Sequence, residues 1–224
     1  MHLCETKAEV GDSLSKYGMT PIERMEKLGL LSCGVIASHA VHLSENDMNI
    51  MAKYNVRIST NPQSNLKLAS GIADVPGLKE HGIMIGIGTD GASSNNNLDM
   101  LEEIRLEAML HNGNTYNPLA LSAKDAWEMG TSIGAKVIGF ENLGELKEGQ
   151  YADIVLWNME KPYWYPHINK LSGLVYAANS SDVDTVLVNG KVVVSNGKLT
   201  TFNEEEIYKK VDECVNELFK SQRK

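Results

Sequence analysis

The chain has 224 residues, 42% hydrophobic and 22% charged, ordinary for a globular protein able to bury a sizeable core. A formal net charge of -8, with no basic patch beyond Lys220, Arg223 and Lys224, argues against nonspecific binding to nucleic acid or an anionic membrane. No apolar run is long enough to span a bilayer, His2 opens a polar stretch without a leader, and Cys4, Cys33 and Cys214 form no CxxC pair, so a cytoplasmic protein with reduced thiols is expected.

Met1 to Cys4 reads as the tail of a strand, with Glu5 just beyond it. Gly11 to Gly18 reads as a loop. Thr20-Pro21-Ile22-Glu23 then opens a helix, with Thr20 as N-cap and Glu23 closing a capping box, and Gly29 stops it. Val35 to His39 reads as a buried strand. Ser44 to Asp47 caps a helix running to about Tyr54, and Val56 to Thr60 is the next strand. Asn61 to Asn65 reads as a polar loop. A short helix is predicted over Val75 to Glu80, a glycine-bearing strand over Ile83 to Gly88, and a strong helix over Leu98 to His111. Ser122 to Asp125 caps another helix, expected to reach Ile138.

Strand and helix thus alternate four times, with an extra helix late. That order implies parallel strands joined by crossover helices, and four such units are half of an eight-fold (β/α)8 barrel. After Gly144 the texture changes. Val155 to Trp157, Thr185 to Val188 and Val192 to Val194 are short apolar runs, and Asn189-Gly190 separates the last two as a hairpin turn. The expected organisation is a half barrel over residues 1–143 and a small β domain with a terminal helix, capped by Asn203, over residues 144–224.

Three strand ends carry chemistry: His2 with Glu5, His39, and Asp90. In a parallel barrel the C-terminal strand ends form the rim where reactions occur. Singly each has a bland reading. A strand-end His is usually a satisfied polar residue, Asp90-Gly91 is ordinary turn chemistry, and Glu5 fits a loop carboxylate. Together they suggest a mononuclear metal hydrolase, because zinc or a similar ion takes imidazole and carboxylate ligands and keeps a position for water. Asp90 and Glu5 suit proton transfer, and His39 suits holding or polarising the water. Gly86 and Gly88 are expected to leave room beneath Asp90. His42 is expected to pack or cap a helix, and His81 and His111 look structural. The polar runs Asn61–Asn65 and Ser93–Asn97 either orient the site or satisfy loop backbone.

The ordered stretches His2-Leu3-Cys4-Glu5-Thr6, Ser38-His39-Ala40-Val41-His42-Leu43, Asn61-Pro62-Gln63-Ser64-Asn65 with its continuation to Ala73, and Gly88-Thr89-Asp90-Gly91 resemble the C-terminal half of the amidohydrolase superfamily. They are most like its 5-methylthioadenosine/S-adenosylhomocysteine deaminases, with chlorohydrolase and guanine deaminase relatives. Gly149 to Val155 resembles that family's return to its β-sandwich. The resemblance implies His2 as a metal ligand and Glu5 as a substrate-binding acid/base. It implies His39 as the water-orienting histidine, and Asp90 as metal ligand, substrate contact and proton acceptor. It also implies one divalent ion per site, Zn2+ or alternatively Fe2+, a purine nucleoside substrate, and a homo-oligomer at full length.

One departure stands beside the match. The family's His-x-His metal pair occurs nowhere in this sequence. The expectation is therefore a C-terminal portion of a metal-dependent aminohydrolase, inactive alone, that needs an N-terminal half. Its reaction would be hydrolytic deamination of an adenosine thioether with release of ammonia. The alternatives are hydrolysis of guanine or a chlorotriazine, and a noncatalytic half barrel that serves in assembly. A zinc site of the cytidine deaminase type is excluded, since Pro-Cys-x-x-Cys is missing.

Overall fold

Four short parallel strands, β1 (His2–Leu3), β2 (Ile36–His39), β3 (Arg57–Thr60) and β4 (Ile85–Ile87), pair in sequence order in a computed structural model that describes residues 1–222. The register sets His2 beside Ser38, Ala37 beside Ile58 and Ile58 beside Ile85. Parallel neighbours need crossovers, and helices supply them. They are α1 (Lys7–Tyr17), α2 (Pro21–Lys27), α3 (Glu45–Lys53), α4 (Pro62–Lys67) and α5 (Val75–Glu80). After β4 come α6 (Ala92–Asn95), α7 (Met100–Thr115), α8 (Ala123–Gly130) and α9 (Ser132–Val137).

Side-chain chemistry explains most of these boundaries. Thr20 and Ser44 close capping boxes with Glu23 and Asp47, and Ser122 does so with Asp125. Gly11 to Gly18 is not a loop. Thr6 Oγ1 accepts from Glu9 N and starts α1, which carries Gly11 in its interior and ends at left-handed Gly18. Asn61 to Asn65 is likewise not a loop, because Pro62 begins α4. The helix expected from Ser122 to Ile138 breaks at Thr131, whose φ of -129° and ψ of -98° lie outside helical space.

One core holds this sheet and its helices together. Leu3, Ala37, Ile58 and Ile85 from the strands pack with Met51, Leu78, Ile104, Ala126 and Met129 from the helices. The chain divides into two compact units, the first being Met1–Gln150 with Pro162–Ala178. Residues 144–150 and Pro162–Ala178 therefore belong with the parallel sheet. The helix α10 (Lys170–Tyr176) brings Val175 into that core, and Arg105 Nε donates to the Val175 carbonyl at 2.9 Å.

The second unit comprises Tyr151–Lys161 and the chain from Asn179 onward. Its antiparallel sheet runs β5 (Ile154–Trp157), β6 (Val183–Val188), β7 (Lys191–Ser195) and β8 (Lys198–Leu199). Asn189 and Gly190, with φ of 48° and 76°, form the β6–β7 hairpin turn that their types favour. Helix α11 (Glu204–Gln222) follows Asn203, whose Oδ1 accepts from Glu205 N at 3.1 Å. No helix among the described residues is long and apolar enough to cross a membrane.

Candidate metal centre

The chain leaves the parallel sheet through left-handed backbone. Cys4 has φ of 53°, His39 76°, Ala40 49° and Asp90 60°. Such conformations in residues other than glycine are uncommon and cluster at functional sites. They sit here at the strand ends that carry His2, Glu5, His39 and Asp90.

These four residues converge. His2, His39 and Asp90 each offer a ligand atom, and the three atoms lie within 4.8 Å of one another. The exposed His2 ring stacks on the buried His39 ring, with centroids 5.2 Å apart. Glu5 Oε2 stands 3.7 Å from His39 Nε2, too far for a hydrogen bond. Glu9 fixes the bend that presents Glu5, accepting from Cys4 N at 2.9 Å and from Glu5 N at 2.8 Å.

The tautomer of His39 follows from its partner. Asn65 Oδ1, an acceptor, lies 2.8 Å from Nδ1, so Nδ1 carries the proton. Turning the Asn61 amide lets its nitrogen donate to the carbonyls of Thr60 at 3.2 Å and Gly88 at 3.1 Å, which leaves its oxygen toward the same Nδ1. The lone pair then sits on Nε2. That atom is buried and has no hydrogen-bond partner among the described residues.

Asp90 is prepared differently. Its Oδ2 accepts from Ser64 Oγ at 2.7 Å and from Ser94 Oγ at 2.6 Å. Burial pushes its carboxyl up, but those hydroxyls, the Gly91 N–H and nearby His39 outweigh it and hold the group at about 2. An ionised carboxylate, a second imidazole and an orphaned buried lone pair form a donor set that fits one divalent ion with bonds of about 2.0–2.2 Å.

Other residues divide clearly. Ser70 was not singled out from the sequence, yet its Oγ donates to Glu5 Oε1 at 3.2 Å and its carbonyl meets His42 Nε2 at 2.6 Å. Ser64, Asn65, Asn61 and Ser94 come from the polar runs and touch the centre. His81 is engaged by the Gly77 carbonyl and Glu45, and His111 by Glu107. A Cβ at Gly88 would come within 2.6 Å of Ser59 Oγ and 2.7 Å of the Asn61 amide. Gly86 instead packs against Gly134 and Val137 of α9, so it opens no room beneath Asp90.

Known proteins resemble the chain over nearly its whole length. A 5-methylthioadenosine/S-adenosylhomocysteine deaminase from Dictyoglomus thermophilum is 46% identical over 219 residues, 98% of this chain and 51% of that protein. A 5'-deoxyadenosine deaminase from Methanobrevibacter smithii is 44% identical over 220 residues, 97% of this chain and 51% of that protein. Among solved structures, an adenosine deaminase from Xanthomonas campestris with bound zinc superposes with a TM-score of 0.94 at 32% identity, covering 98% of this chain and 50% of that one. Atrazine chlorohydrolase from Arthrobacter aurescens complexed with zinc gives 0.88 at 30% identity, covering 95% and 47%. The chain spans about half the length of the curated relatives it matches. The profile of the amidohydrolase family matches residues 1–193, and the chain belongs to that family.

Proposed function

We propose that this chain supplies part of the catalytic centre of a metal-dependent aminohydrolase that deaminates an adenosine thioether such as 5-methylthioadenosine or S-adenosylhomocysteine. On this reading the parallel sheet is half of a (β/α)8 barrel and the antiparallel unit is part of a β-sandwich. The observation that carries it is the cluster of His2, His39 and Asp90 with the unpartnered Nε2 of His39. The names of the relatives favour adenosine thioethers and 5'-deoxyadenosine over triazines.

His2 and Asp90 would hold a divalent ion, zinc on this reading, which supplies a water acidic enough to react near neutral pH. His39 presents the Nε2 lone pair and orients that water. Asp90 would take one proton as the water oxygen bonds to the ring carbon bearing the amino group. Glu5, held by Ser70, protonates the adjacent ring nitrogen. The carbon–nitrogen bond then breaks as the amino group takes the Asp90 proton and leaves as ammonia. The proton left on the new hydroxyl returns to Glu5 as the carbonyl forms.

The test is ammonia release from 5-methylthioadenosine, S-adenosylhomocysteine, 5'-deoxyadenosine and a chlorotriazine. The chain is assayed with Zn2+, alone and with the part of the Dictyoglomus thermophilum relative that it does not cover. Release from the nucleosides in the mixture is expected. Asp90→Asn and Glu5→Gln should each lower it by about 10²–10⁴-fold. No release from any nucleoside, or full turnover by Asp90→Asn, would sink the reading.

A further inference from the structure

Glu103 is fully buried in the first turns of α7, with 0% of its surface exposed. It makes no hydrogen bond or ion pair to His2, Glu5, His39 or Asp90 among the described residues. Its two oxygens instead reach two different segments. Oε2 accepts from Gln63 N at 3.1 Å, at the start of α4, and Oε1 accepts from Asn95 Nδ2 at 2.5 Å, at the end of α6. The neighbouring Glu102 repeats the pattern on the surface, with Oε2 accepting from Gln63 Nε2 at 3.0 Å and from Asn97 Nδ2 at 2.6 Å.

The residues next to these two anchors are the ones that hold the centre. Ser64 follows Gln63 and Ser94 precedes Asn95, and both hydroxyls bond the same oxygen of Asp90. Asn65, one residue further, fixes the tautomer of His39. We propose that Glu103 is a positioning residue that pins α4 to α6, so that Ser64 and Ser94 hold Asp90 in place as a ligand and Asn65 holds His39 beside it. This rests on the metal-centre reading above.

The cost of the arrangement supports it. Burial pushes the Glu103 carboxyl up to about 7 in spite of the Gln63 and Asn95 bonds, and Glu107 and Glu102 add to the rise. A core position with only a packing duty is served as well by an apolar side chain, whereas a buried carboxylate is a costly choice. Its two oxygens fit two donors on separate segments, which no apolar group can join.

Binding of Co2+ to the full chain, read from its visible absorption band, together with Zn2+ affinity from chelator competition and thermal melting, tests the proposal. Outer partners of metal ligands commonly change affinity by about 10–100-fold. Glu103→Gln keeps the volume but sets an amide nitrogen against one donor. It should weaken Co2+ about tenfold and alter the band, while the melting transition stays cooperative. Asn95→Ala cuts one arm and should give a smaller change in the same direction, with little further loss when combined with Glu103→Gln. Unchanged affinity and band in both variants, with binding lost in His2→Ala, would overturn the role of Glu103 and leave the centre intact. Failure of the unaltered chain to bind either ion, or unchanged binding in His2→Ala and Asp90→Asn, would overturn the centre and this inference with it.

Discussion

Cys4 and Gly88 show how single residues near the centre are constrained without belonging to it. Cys4 is fully buried, and burial first, then Glu9 and Asp47, pushes its thiol up to about 12. A thiol so disfavoured as an anion is neither nucleophile nor ligand. Titration of the folded protein with a thiol reagent should therefore count two fast groups, the exposed Cys33 and Cys214, with Cys4 reacting only on unfolding. Three fast groups would contradict the burial of Cys4. Gly88 permits the close approach of Ser59 and Asn61, so Gly88→Ala should destabilise by about 1–3 kcal/mol, as overpacking does. A melting temperature equal to that of the unaltered protein would count against this packing. His39 and Asp90 were legible as candidates because each follows an apolar run, and His2 and Glu5 because they lie at the tail of a strand. Glu103 was not, since two acids in the first turn of a helix look like ordinary dipole complements. Only packing reveals which of Glu102 and Glu103 is buried.

At the scale of elements, caps were the most readable signals. Thr20, Ser44 and Ser122 begin the helices that their sequences announce, because the cap and its acid lie three residues apart. The start of α8 also carries an ion pair, Lys79 Nζ to Asp125 Oδ1 at 2.6 Å. Burial raises the Asp125 carboxyl, but Lys79 and Ser122 outweigh that and bring it to about 2 from 3.8. A carboxyl lowered on folding stabilises the fold above its unfolded value, and this stability is lost as pH falls through the folded value. Asp125→Asn should therefore melt lower than the unaltered protein above about pH 4, with the gap closing toward about pH 2. The side chain is 37% exposed, so the gap at neutral pH should stay below about 1 kcal/mol. A gap that widened on acidification would contradict the assignment. α1 and α4 were misread as loops. Gly11 and the polar run at Asn61 weigh against helix locally, and Thr6 and Pro62 overrule them.

At the scale of the whole molecule, the parallel sheet begins at β1 and ends at β4, and neither outer edge has a strand partner among the described residues. Met1, Tyr17, Leu28 and Leu30 are exposed beside β1 and line an open groove there. Unpaired edges and apolar surface recruit other chains. The chain on its own should associate or bind a hydrophobic dye, measured by light scattering with dye fluorescence. A monodisperse monomer that binds no dye would show that these edges are protected. The sequence by itself determined the alternation of strand and helix, the antiparallel hairpins, the caps and a set of candidate residues for the site. These depend on neighbours a few positions apart, where period, turn type and capping chemistry act. Only the tertiary structure decided that His39 Nε2 is left without a hydrogen-bond partner among the described residues, that Ser64 and Ser94 share one oxygen of Asp90, and that Glu103 joins α4 to α6. Those contacts link residues from separate elements, such as Ser64 with Asp90, and come into being only when parallel strands bring their ends together.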